Sequence, residues 1–270
     1  MSRITIGQYY PTDSIIHRID PRIKLVGVFM YISALLFVNS FVGYGISFVF
    51  LCLLVSLSKV PPKLLLRGLR SILIMLIIAA GINLFLTPGE HILFQLGFIR
   101  ITLEGVRMAS QMAMRLALLI TGSSILTLTT SPIQLTDAIE SLLLPLKAVR
   151  VPVHDIAMMM TIALRFIPTL ADEMDKIMKA QKARGADFDT GNLIQKAQSL
   201  IPILVPLFVS AFKRADELAT AMEARCYRGD MNRTKMKVMK ITPKDFISFG
   251  AMILFFVVIL FLRYGFFEFI

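Results

Sequence analysis

The sequence predicts an all-α, polytopic membrane protein with about five transmembrane helices and a long polar segment on the cytoplasmic side. Three observations predict it. Apolar residues make up 56% of the chain and charged residues 17%, whereas soluble domains hold about 45–50% and 25%. Residues 25 to 58 form an uncharged run of 34 positions. Basic loops alternate with loops that carry no net positive bias, as expected for a chain threaded back and forth through a bilayer.

Leu25–Ser58 is too long for one span, because about 20 helical residues cross the hydrocarbon. Asn39, Ser40, Gly43, Tyr44 and Gly45 cluster turn formers in its middle, so the run divides into a tight hairpin of two spans. Ser71–Thr87 is the third uncharged run and stops at Pro88-Gly89. The fourth span runs from about Met108 to Thr130 and carries Arg115, which a span tolerates when the side chain snorkels or faces protein. Phe246–Leu262 is the fifth, flanked by Lys244 and Arg263. Asp20-Pro21 suits the start of the first helix, an acid at the cap followed by a proline.

The basic residues set the orientation. Arg3, Arg18, Arg22 and Lys24 precede the first span, and Lys59, Lys63, Arg67 and Arg70 follow the second. Ser131–Asp245 holds 17 of the 29 Lys and Arg. Five spans then place the N-terminus and this long segment inside and the C-terminus outside. The chain divides into 1–130 with four spans, 131–243 as the polar segment, and 244–270 as the last span. Two apolar stretches in the polar segment, Ile156–Leu164 and Ala197–Phe212, are short for spans. They suit helices at the membrane boundary or against a partner. Two additional spans are the alternative.

Several classes of function lack their residues. The net charge of +11 has no nucleic-acid motif beside it. Cys52 and Cys226 form neither a metal-ligand spacing nor a disulfide framework. His17, His91 and His154 are scattered. No P-loop, nucleophile elbow or metalloprotease motif occurs, so no cofactor or catalytic residue is expected on this chain. Met1–Ile19 is polar and mixed, unlike a cleavable signal peptide.

The polar segment holds a loose repeat. The first copy reads Ile167-Pro168-Thr169-Leu170, Ala171-Asp172-Glu173-Met174, then Ala183-Arg184-Gly185. The second reads Ile201-Pro202-Ile203-Leu204, Ala215-Asp216-Glu217-Leu218, then Ala224-Arg225-Cys226. Each copy suggests an apolar start, a charged helix, and an arginine between two small residues. Asp172 with Lys176 and Asp175 with Lys179 are acid-then-base pairs four apart, the favoured order on a helix. Gly185 suits the C-terminal cap of the first helix and Gly229 that of the second. Small neighbours let such an end approach another backbone, and the guanidinium then offers a planar fork to a carboxylate or to carbonyls. The plainer alternative is a pair of solvated helix ends whose cations complement the macrodipole.

These motifs, together with Asp13-Ser14-Ile15-Ile16-His17-Arg18-Ile19-Asp20-Pro21-Arg22-Ile23-Lys24-Leu25, resemble the transmembrane T component (EcfT, related to CbiQ) of energy-coupling factor transporters. The resemblance covers nearly the whole chain. It implies a bundle of about five spans and a cytoplasmic module of long crossing coupling helices in a bacterial cell membrane. It implies that Ala183, Arg184, Gly185 and Ala224, Arg225, Cys226 dock on two ABC-type ATPase subunits (EcfA and EcfA′-like), which carry the ATP and Mg. A separate substrate-binding S component would bind the module, with vitamin or metal-ion uptake as the outcome. Met158, Met159 and Met160 are the candidate S-component contact, since methionine surfaces adapt to several partners; lipid or core filling is the alternative. The family motif commonly ends in glycine, and Cys226 departs from it. A self-sufficient secondary transporter is the rival function, for which Arg115 is the sole charged candidate within a span. A membrane enzyme is a further rival, without an acid–base or metal cluster to support it.

Overall fold

The computed structural model describes residues 9–96, 99–186, 188, 192–227, 229 and 241–265. In chain order these form α1 (Pro21–Phe37), α2 (Phe41–Ser58), α3 (Pro62–Leu86), strands β1 (Ile92–Leu96) and β2 (Ile99–Thr102), α4 (Leu103–Thr129), α5 (Pro132–Leu143), a 3-10 segment (Leu144–Val149), α6 (Val153–Ala183), α7 (Leu193–Ala224) and α8 (Pro243–Gly265). They fall into two compact units, one covering Ile139–Lys237 and the other Gly7–Ala138 with Val238–Ile270. α5 carries the chain from one to the other.

The second of these is a bundle in which α4 packs on α1, α2 and α3, and α8 packs on α1. Its core is mainly aliphatic, with a stack of aromatic rings inside it. Tyr31, Phe50 and Phe255 stack on one another, with Phe50 and Phe255 centroids 4.3 Å apart. α4 reaches Tyr31 closely because Gly122 has no side chain there; a Cβ at that position would lie 2.2 Å from Tyr31 Cε1. The Tyr31 hydroxyl donates to the Leu118 carbonyl at 3.3 Å, which removes the cost of burying it.

Polar groups close the ends of the bundle. Asp20 caps α1 by accepting from the Arg22 N–H at 2.9 Å, with Pro21 at the first helical position. The Asp20 N–H donates to Asp245 Oδ1 at 2.8 Å, and the other oxygen of Asp245 accepts from the Thr242 N–H and hydroxyl. One carboxylate thus binds the starts of α1 and α8 together. Lys24 Nζ donates to the carbonyls of Thr129 and His17. The first of these is among the carbonyls that the C-terminal end of α4 leaves without helical partners. At the opposite end, α1 breaks where expected. Ser40 caps α2, accepting from Gly43 N–H at 3.2 Å.

Arg115 faces protein. Its guanidinium donates to the Val38 carbonyl at 2.7 Å and to the Tyr44 hydroxyl at 3.1 Å, holding the turn between α1 and α2. α3 begins earlier than its uncharged run and is bent by 56° between Arg70 and Ile72. The antiparallel pair β1–β2 was not anticipated in the mixed-charge loop before α4. Thr102 ends that excursion by capping α4 and donating to the Thr87 carbonyl.

Large apolar side chains cover the outside of the bundle. Phe48, Val49, Ile74, Met75 and Phe261 are each more than half exposed, the surface expected where lipid is the solvent. By length and composition, α2, α4, α6, α7 and α8 are long and apolar enough to cross a membrane, and α3 qualifies as a bent pair. α1, with 17 residues, falls just below that length. The protein is an all-α, multi-pass membrane protein.

Candidate functional site

α6 and α7 form an antiparallel hairpin. Gln181 near the end of α6 meets Pro202, Glu173 meets Ser210 and Arg214, and Met158 near its start meets Tyr227 just beyond α7. The helices are longer than the two apolar stretches suggested. Pro168, Pro202 and Pro206 lie inside them rather than at their starts. Pro206 has no N–H for the Pro202 carbonyl one turn back, and this vacancy is filled from α6, where Gln181 Nε2 donates to that oxygen at 3.5 Å. Asn192 and Gln195 supply a reciprocal capping box at the start of α7.

The clamp at the middle of the hairpin is ionic. Glu173 accepts from the Ser210 hydroxyl at 2.5 Å and from Arg214 at 3.2 Å. Both partners come from one face of α7, one turn apart. The acid–base pairs expected along α6 do not form. No ion pair joins Asp172 to Lys176 or Asp175 to Lys179 among the described residues. Their neighbour Glu173, half turned toward α7, makes the contact instead. Its counterpart in the second copy, Glu217, is exposed.

Both helices end in the same way. The Ala186 N–H donates to Gln181 O and the Gly185 N–H to Lys182 O, each at 3.0 Å. The Tyr227 N–H donates to Met222 O at 3.0 Å and the Cys226 N–H to Glu223 O at 2.8 Å. Each is a paired six-to-one and five-to-two closure. Arg184 and Arg225 occupy the equivalent cap positions, with φ −87° and −94°. The residue after each is left-handed, Gly185 at φ +88° and Cys226 at φ +56°. The small residue after each arginine is therefore set by the turn. A glycine there is unstrained, and a cysteine carries a Cβ in a conformation costing about 1–2 kcal/mol. Cys226, rather than Gly229, closes α7.

Ala183, Arg184, Gly185, Ala224, Arg225 and Cys226 are all exposed. They fall in two groups at opposite ends of the hairpin. Because Gln181 lies opposite Pro202, Arg184 lies opposite a point near residue 199. Arg225 is 26 residues further along α7, on the order of 40 Å at about 1.5 Å per residue. Of the methionines, Met158 is turned inward, its sulfur accepting from the Tyr227 hydroxyl. Met159 and Met160 remain exposed, at 58% and 37%. Among the described residues, α6 buries only Val153 and Ala157, and α7 only Ile203.

Elsewhere, no cluster of His, Cys, Asp or Glu fit to hold a metal occurs among the described residues. His154 pairs with Glu140. His17 bonds Ser14 Oγ and the Tyr10 carbonyl, fixing the segment before α1.

The profile of the cobalt transport protein family, CbiQ, matches residues 12–236. The energy-coupling factor transporter transmembrane protein EcfT of Ruminiclostridium cellulolyticum is 52% identical over 264 residues, covering 98% of each chain. Those of Clostridium kluyveri and Streptococcus equi subsp. equi are 57% and 45% identical, covering 91% and 92% of each chain. With a multi-pass helical bundle and a match that takes in both arginine-capped helix ends, the chain belongs to the CbiQ family, among the EcfT transmembrane components of energy-coupling factor transporters.

Proposed function

We propose that the α6–α7 hairpin is the coupling element of the transporter, with Arg184 and Arg225 docking into two ABC-type ATPase subunits. One observation carries this reading. Two exposed arginines occupy matching caps at opposite ends of one clamped hairpin. A separation on the order of 40 Å suits two sockets on two partners rather than one. The guanidinium fork at a blunt helix end suits a groove lined by carboxylates or carbonyls. ATP and Mg then belong to those partners, and this chain is a non-catalytic subunit.

The hairpin lies on the cytoplasmic side with the N-terminus, and the C-terminus lies outside. The register supports this. The apolar half of α6 lies beside the charged half of α7, where Lys213, Arg214, Asp216 and Glu217 fall. The charged half of α6 lies beside the apolar half of α7. A hairpin crossing the bilayer would bring charge into hydrocarbon at each level, which is costly. Its uncovered apolar surface, including Met159 and Met160, suits the substrate-binding S component. Movement of the ATPases would then tilt the hairpin and that subunit, releasing a vitamin or metal ion inside. Arg115, tied to the α1–α2 turn, offers little to the rival of a self-sufficient carrier.

The test is charge reversal of both arginines in the assembled complex. Arg184→Glu with Arg225→Glu is expected to leave membrane insertion intact, to lose co-purification of the ATPases, and to abolish uptake. Normal assembly and uptake would refute the reading. Met159→Asp with Met160→Asp is expected to release the S component while the ATPases stay bound.

A further inference from the structure

The bundle contains a cavity that neither the coupling hairpin nor the family assignment explains. It holds about 730 Å³ between α1, α2, α4, α8 and the segment before α1. α2 packs on α4 but stands off from α1 and α8 at this end, and the cavity fills the gap. Tyr31, Phe50, Leu54, Ile125 and Met252 line its body. The stacked rings of Tyr31 and Phe50 lie at its deep end. The walls are almost wholly apolar.

The mouth is different. Arg18, Lys59 and Lys244 line it, all three exposed. Asp13 is also there. Its carboxyl is held below the usual carboxylate range by the hydrogen bonds and charge of Arg18, with Lys59 adding to the effect. The bidentate Arg18–Asp13 pair neutralises itself. Lys24 lies deeper, its ammonium occupied by the Thr129 and His17 carbonyls. Lys59 and Lys244 enter no ion pair among the described residues. The mouth therefore presents two cations outside any ion pair among the described residues.

The dimensions are those of one lipid leaflet. From Lys59 to Phe50 is nine residues of α2, and from Lys244 to Met252 eight of α8, roughly 12–14 Å at about 1.5 Å per residue. Half of a hydrocarbon core about 30 Å thick is close to that depth. An apolar slot one leaflet deep, opening at the headgroup level between these two lysines, has the chemistry of an amphiphile with an acyl chain and an anionic head. Basic pockets between helices at the headgroup level recognise anionic lipids for this reason.

We propose that this cavity is a binding site for an anionic phospholipid, one acyl chain lying between α1, α2 and α8 and the phosphate at Lys59 and Lys244. The bound chain completes the packing of α2 on the rest of the bundle.

The sequence contains no tryptophan, which gives a direct test. Leu54→Trp places a reporter in the cavity wall, and Phe48→Trp places one on the exposed face of α2, outside the lining. The full chain is reconstituted in vesicles of phosphatidylcholine and phosphatidylglycerol, with brominated acyl chains on one or the other as quencher. The cavity reporter is expected to favour brominated phosphatidylglycerol by about fivefold or more, and the surface reporter to show no preference. Lys59→Gln with Lys244→Gln, in the Leu54→Trp background, is expected to bring the preference to unity. No preference at the cavity reporter, or one that survives loss of both lysines, would overturn the site. Equal preference at both reporters would mark a general surface effect and overturn it as well. Displacement by millimolar inorganic phosphate without loss of chain quenching would overturn the placement of the headgroup. Where a tryptophan variant does not insert, native mass spectrometry of the unaltered and Lys59→Gln/Lys244→Gln chains reads the same ratio from retained lipid.

Discussion

The two ends of the α6–α7 hairpin are built to one plan, and their small-Arg-small triplets differ in one residue. After Arg184 the left-handed position is a glycine, and after Arg225 it is a cysteine. The hydrogen bonds that close the two ends match pair for pair. The comparison separates two roles that a small-Arg-small motif merges. The last small residue serves the turn, and the turn serves the arginine, by stopping the helix so that the guanidinium stands at a blunt end. A cysteine performs this at a modest conformational cost, so the departure from the usual glycine leaves Arg225 at the same blunt helix end that the proposed docking requires.

The largest expected effect breaks the equivalence of the ends directly. Arg184→Glu and Arg225→Glu, made singly, should each weaken one ATPase contact by about 2 kcal/mol or more and leave the other. Quantitative co-purification of the ATPase subunits reads this as half-occupied complexes. Release of both ATPases by either single change would show that the ends act as one site. The next effect distinguishes the two copies of the charged motif. Glu173→Ala should lower hairpin stability measurably, because the clamp to Ser210 and Arg214 is lost. Glu217→Ala should change it little. Thermal unfolding in detergent compares the two.

The smaller effects concern the turns. Gly185→Ala introduces a Cβ at φ +88° with open space around it, so its cost is conformational, about 1 kcal/mol. Hydrogen exchange at Gly185 and Ala186 should accelerate, with ATPase binding reduced only slightly. Cys226→Gly removes the corresponding strain and should slow exchange at Tyr227 by a similar factor, partly offset by the greater freedom of glycine in the unfolded chain. Should Cys226→Gly accelerate exchange instead, the thiol has a packing role that its exposure does not suggest.

Much of this was legible from residues alone, for identifiable reasons. The apolar runs that became α1, α2, most of α3, α4 and α8 announce themselves by composition, since lipid requires long apolar segments. The α1–α2 turn was marked by Asn39 and Ser40, and the first helix start by Asp20-Pro21, because caps act over three or four residues. The full length of α6 and α7 was hidden by Pro168, Pro202 and Pro206. Proline reads as a break, yet at Pro202 the freed carbonyl finds Gln181 from a neighbouring helix, which no local rule foresees. Glu173 belongs to the loose repeat, but its partners lie 37 and 41 residues away. The Asp20–Asp245 clamp joins residues 225 apart. The β1–β2 pair was missed because strands of five and four residues carry too little alternation to stand out in a loop of mixed charge. The distance between the two arginines follows from the helix register, which the repeat alone did not give.

Cys226 brings one practical consequence. Its sulfhydryl is exposed in the turn after α7, which the proposed function puts in the cytoplasm, while Cys52, the other thiol of the chain, sits on the flank of the apolar helix α2. Alkylation by a membrane-impermeant maleimide should therefore mark Cys226 alone, and only in inside-out vesicles. The unmodified chain carries its own sidedness tag, and blockage of that tag upon addition of an ATPase would time the docking of one hairpin end without any engineered label.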